Sequence, residues 1–166
     1  MQTSIKKILI AATALSISVV AMAADVTGKW NGKMNVDLSK TKAYMLKQNK
    51  ANPKASESIT KGIDAQQSAL NSAAIKLEIF KGGTFKLSQT VGGKTENENG
   101  KWTMNGDKIK FTGLSSKNGG PTELNGVVKN GKTIFIDLTA EMQKQMAKAK
   151  IPAEGMGKGS ITFTKA

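Results

Sequence analysis

The chain has 166 residues with 25 lysines, no arginine, 12 acidic residues and a formal charge of +13, and it contains neither Cys nor His. Without those two side chains it cannot form the usual Cys/His zinc site or a Cys–His or Ser–His nucleophile pair, so a protein without enzymatic chemistry, metal or cofactor is expected. The lysine excess favours weak attraction to anionic surfaces such as those of a cell envelope, but specific nucleic-acid readers rely on Arg and stacking aromatics, and none is expected here.

At the N-terminus, Lys6 and Lys7 precede an uncharged run from Ile8 to Met22 that ends in Ala21-Met22-Ala23. A membrane-spanning helix needs about 20 apolar residues; this shorter run with a small-x-small end predicts a secretory signal peptide over 1–23, cleaved after Ala23. Its removal lowers the charge of +13 by two, to +11, and leaves a single domain over 24–166, exported to a periplasm or to the outside. With no Cys to form a disulfide, that domain must be held by packing and backbone hydrogen bonds.

Val26 to Leu38 alternates as a first strand, with Trp30, Met34, Val36 and Leu38 on its apolar face. Residues 39–74 change character and predict a helical insert. A short helix over 40–50 carries Tyr44 and Met45, and a second over 56–73 carries Ile59, Ile63, Leu70 and Ala74 on one stripe. Period-two patterning then returns: Ile75 to Ile79, Phe85 to Val91, Lys94 to Glu98, Lys101 to Met104, Ile109 to Phe111, Leu124 to Val128 and Ile134 to Leu138 read as seven strands. Turns are predicted at Gly82-Gly83, Gly92-Gly93, Asn99-Gly100, Asn105-Gly106 and Asn130-Gly131, since Asn-Gly accepts the positive φ of tight hairpin turns, and a loop over Ser115 to Pro121. Thr139 is read as the cap of a helix running to Ala149, and Gly159 to Lys165 as a last strand able to pair with the first. The fold class is mainly β with helices: an antiparallel meander that hides its edges by closing into a barrel.

Gly28-Lys29-Trp30 in the first strand resembles the G-x-W of lipocalin-like (calycin) barrels, as does the order of a helix before the terminal strand. The insert after the first strand is similar to that of the fatty-acid-binding branch. Gly83-Thr84-Phe85, Gly100-Lys101-Trp102 and Gly106-Asp107-Lys108-Ile109 are similar to the hairpins of bacterial lipocalin-like domains. The resemblance implies a binding protein for a small apolar or amphipathic ligand. It does not extend to the Arg and Tyr expected to hold a ligand carboxylate, because there is no Arg and Tyr44 lies in the insert.

The residues expected inside the barrel are Trp30, Phe85, Leu87, Trp102, Met104, Phe111, Ile134, Ile136 and Phe163, either as plain core or as the lining of an apolar pocket, with the insert (39–74) as lid and the lysine surface as an attraction for an anionic head group. Several strands are short enough for side chains to fill the barrel. The other reading is a ligand-free structural or interaction protein of the envelope. Glu96 and Glu98, two apart on one strand, are the only paired carboxylates close in sequence and read as solvated charges. No oligomeric state follows from the sequence.

Overall fold

The computed structural model describes residues 25–115 and 122–166, so the expected signal segment and most of the loop from Ser115 to Pro121 lie outside the described residues. Eight antiparallel strands close into a barrel in sequence order: β1 Gly28–Asp37, β2 Ala74–Ile79, β3 Thr84–Val91, β4 Lys94–Asn105, β5 Lys108–Thr112, β6 Glu123–Lys129, β7 Thr133–Asp137 and β8 Lys158–Lys165. The last strand pairs with the first along eight residues, from Trp30 opposite Lys165 to Asp37 opposite Lys158. Helices α1 (Ser39–Gln48) and α2 (Pro53–Asn71) follow β1; α3 (Thr139–Lys148) follows β7. All three therefore meet the barrel at one end, the end where β1 and β7 finish and β2 and β8 begin.

Alternation decides what lies inside. Along β1, Trp30, Met34 and Val36 are buried while Lys29, Asn31, Gly28 and Asn35 are exposed. The far end is closed by Val26 and Trp30, each 1% exposed; the indole of Trp30 donates to the Val26 carbonyl at 2.9 Å. The second Trp of the repeated Gly-Lys-Trp does the same work, with the Trp102 indole donating to the Phe80 carbonyl at 2.9 Å.

Three readings are corrected. Asn99-Gly100 is no turn: β4 runs unbroken from Lys94 to Asn105, which makes eight strands in the barrel where nine were expected. Gly100 is there because a Cβ would lie 2.7 Å from the Phe85 ring and would overlap the Thr112 carbonyl, a close approach rather than a reversal. The α2 helix ends at Asn71, so Ala74 opens β2 exposed and Ala73 packs inward instead. Thr139 does not cap α3 with its side chain; the Asp137 carboxylate accepts from the Thr139 amide at 2.8 Å. Asp37 does the same for Ser39 at 2.9 Å before α1.

Candidate functional site

All nine residues expected inside the barrel share its inner face. Trp30, Phe85, Phe111, Ile134, Ile136 and Phe163 are at most 2% exposed, and Leu87, Trp102 and Met104 are half-buried against that core. They pack on one another: Phe85 and Phe111 meet edge-on with centroids 5.0 Å apart. Where an inward position is glycine, a neighbour fills the space. A Cβ on Gly32 would come within 2.6 Å of the Phe163 ring, and one on Gly126 within 3.0 Å of Ile136. This part of the interior is occupied by side chains at close-packed distances.

An apolar concavity lies elsewhere, at the helical end. A groove of about 410 Å³ has Met34 and Val36 of β1 and Leu38 just after it as its floor, Gln66 and Leu70 of α2 on one wall, and Leu138, Glu141, Met142, Gln145, Met146, Ala149 and Ile151 in and around α3 on the other. None of the nine interior residues lines it. Its volume falls in the lower part of the range of about 300–1,000 Å³ typical of small-molecule sites.

The groove exists because β1 outruns β2. Pairing between them stops at Gly32 opposite Ile75, so the following part of β1 would present an open edge. Helix α2 covers that edge with side-chain amides: the Val36 amide donates to Asn71 Oδ1 at 2.6 Å, Asn71 Nδ2 donates back to the Val36 carbonyl at 3.1 Å, and the Leu38 amide donates to Gln67 Oε1 at 2.8 Å. The other wall is seated on glycines. A Cβ on Gly159 would meet Met142 Sδ at 2.5 Å, and one on Gly157 would meet Leu38 Cδ2 at 3.0 Å and Met146 Cε at 3.3 Å. Met146 Sδ also accepts from the Gly157 amide at 3.2 Å and from the Thr41 hydroxyl at 3.7 Å. Gly155 makes the same allowance for Tyr44.

Electrostatically the groove differs from the rest of the surface. Its polar residues are Gln66, Glu141 and Gln145, and no lysine lines it. Glu141 Oε1 accepts from Gln145 Nε2 at 3.2 Å, and Lys144 reaches Glu141 Oε2 at 3.4 Å from a side chain 73% exposed. The lysines lie outside, for instance Lys29, Lys76 and Lys86 along an outer trough over β1 to β3 that also holds Glu78. Glu96 and Glu98 share a face of β4; Glu96 is exposed, and the Glu98 carboxylate accepts from the Ser115 amide at 2.9 Å. Among the described residues no group of His, Cys, Asp and Glu could hold a metal ion, and no helix is long and apolar enough to cross a membrane.

The groove residues were only partly visible in the sequence. Met34, Val36 and Leu38 were on the apolar face of the first strand and Leu70 on the stripe of α2, but nothing there separated lining from core. The missed signal is Gly155-Met156-Gly157-Lys158-Gly159: glycine at alternate positions entering a strand leaves one face without side chains, which is room for helices to dock.

No protein-family model matches the chain, and no curated protein matches it in sequence. Among solved structures, the REP1-NXSQ fatty acid transporter aligns with 87% of this chain and 98% of its own at 12% identity and a TM-score of 0.40. A mutant of that transporter aligns at 15% identity and a TM-score of 0.38 over 87% of this chain and 100% of its own. Fatty-acid-binding protein 1 of Echinococcus granulosus covers 84% of this chain and 96% of its own, at 11% identity and a TM-score of 0.35. These alignments are too distant to bear on function.

Proposed function

We propose that this chain is a binding protein for a small apolar or amphipathic molecule, held without chemistry in the groove between the helices and the barrel mouth, and that it works after export and removal of residues 1–23. The observation that carries this reading is the groove itself: about 410 Å³ of space lined by nine apolar residues and three polar ones. An apolar lining with a few polar groups is the usual make-up of a small-molecule site, and three of the nine, Met34, Met142 and Met146, have flexible thioether chains that adapt to ligands of different shape. The closely packed barrel interior favours the space beneath the helical insert over the barrel centre as the seat of the ligand.

The same packed interior favours a second reading, a ligand-free envelope protein that uses its helices as a contact surface. Titration with the uncharged dye N-phenyl-1-naphthylamine separates the two. A saturable fluorescence rise in the native protein, abolished in Ala149→Trp, supports the binding reading; Ala149 is exposed on the groove wall, so the indole fills the space without entering the core. No rise in the native protein refutes it. Sequencing the N-terminus of protein recovered from outside the cytoplasm tests export, and a start at Met1 or a wholly cytoplasmic product refutes that part.

A further inference from the structure

The site lies on a chain with 25 lysines, yet its polar edge carries one carboxylate and two amides and no cation. Chance placement of so many lysines would put one at most surface clefts; at this one the ligand meets Glu141, Gln66 and Gln145 instead. A bound carboxylate would face the Glu141 charge at short range, where two like charges about 5 Å apart repel appreciably even in a partly solvated site. Lys144, outside the lining, is the cation paired with Glu141 and is already directed at it. A head group that donates hydrogen bonds finds the opposite situation. A carboxylate offers about four acceptor positions, of which Gln145 and Lys144 use two, and the Gln66 carboxamide can accept as well.

We infer that the groove selects amphiphiles with a cationic, hydrogen-bond-donating head, such as a long-chain amine, over free fatty acids. The inference rests on the binding reading above and specifies its ligand class. Long-range repulsion between the basic protein and an amine acts against it, but at physiological ionic strength charges beyond about 8 Å are largely screened, which leaves the local groups to decide.

The test is displacement of N-phenyl-1-naphthylamine by dodecylamine, dodecanol and dodecanoate at neutral pH and physiological salt, each below its micellar concentration. The expected order is amine, alcohol, acid, with the amine about tenfold tighter than the acid. Glu141→Gln should bring the amine-to-acid ratio to about twofold or less, Glu141→Lys should invert it, and Lys144→Gln should widen it by freeing the Glu141 charge. Circular dichroism checks that each variant is folded. If dodecanoate binds as tightly as the amine, or if the ratio ignores Glu141, the selectivity inference fails while the binding reading stands. If none of the three displaces the dye from a protein that binds it, both fail for chain amphiphiles.

Discussion

Replacing Asn71 by Ala tests how α2 is fastened to β1. The native side chain makes two hydrogen bonds to one residue, accepting from the Val36 amide at 2.6 Å and donating to the Val36 carbonyl at 3.1 Å, and Val36 is 3% exposed. Each such bond contributes about 1 kcal/mol net, and a buried donor left without a partner costs about 1–3 kcal/mol. Asn71 is itself only half-buried, so water can enter once the amide is gone, and the sum is placed at about 2–3 kcal/mol. With a urea m-value of about 2 kcal/mol per molar for a domain of this size, the midpoint should fall by about 1–1.5 M at unchanged m. Hydrogen exchange at the Val36 amide should quicken more than at the Ile134 amide of β7, two strands away. A midpoint shift under about 0.3 M would show that α2 is held by apolar contacts alone and that the open edge of β1 needs no amide cover.

Gly62 sits exposed within α2 with nothing near the position of a Cβ, so Gly62→Ala should stabilise by about 0.5–1 kcal/mol, read by the same melts. Gly100→Ala should do the reverse by about 1–3 kcal/mol, since its methyl meets the Phe85 ring and a backbone carbonyl; unchanged stability would contradict the packed interior. Asp37 and Asp137 have pKa values lowered chiefly by hydrogen bonds from the hydroxyl, then the amide, of Ser39 and Thr139 respectively. A lowered folded-state pKa gives stability that is present above the unfolded value near 4 and lost as pH falls through the folded value. Melting temperature followed from pH 7 to 2 should therefore drop less steeply at the acid end in Asp37→Asn/Asp137→Asn than in the native protein.

The barrel was legible because its causes are local. Period-two alternation, glycine turns and a last strand matched to the first all lie in short stretches of sequence. The misread turn shows the limit: Asn99-Gly100 has turn chemistry, but its glycine answers to the Phe85 ring fifteen positions earlier and to the Thr112 carbonyl twelve positions later, and a distant contact outweighs a local propensity. The helix start was misread for a similar reason, since Asp-Leu-Thr offers two capping oxygens and only geometry selects Asp137. The inner set was read correctly as inner, yet alternation cannot distinguish an inward side chain that fills space from one that borders it. The groove depends on β1 being longer than its pairing with β2, a property of register that no single segment carries.

The alternate glycines at the start of β8 allow one further test, because the same substitution should do different things two residues apart. At Gly157 an added methyl meets the Asp37 carbonyl at 2.6 Å, a backbone atom fixed by the pairing of Asp37 with Lys158; it cannot move without opening the sheet, and Gly157→Ala should cost about 1–3 kcal/mol. At Gly159 the clash is with Met142 Sδ at 2.5 Å, the mobile end of a side chain with three rotatable bonds. That sulfur can swing away, and the groove that Met142 lines is the open space beside it. Gly159→Ala should therefore cost less than about 1 kcal/mol while weakening dye binding severalfold, a separation of stability from binding that Gly157→Ala should not show. Equal losses of stability with dye affinity intact in Gly159→Ala would mean that Met142 is fixed by the core rather than lining a usable site, and would count against the groove as the place where this protein holds a ligand.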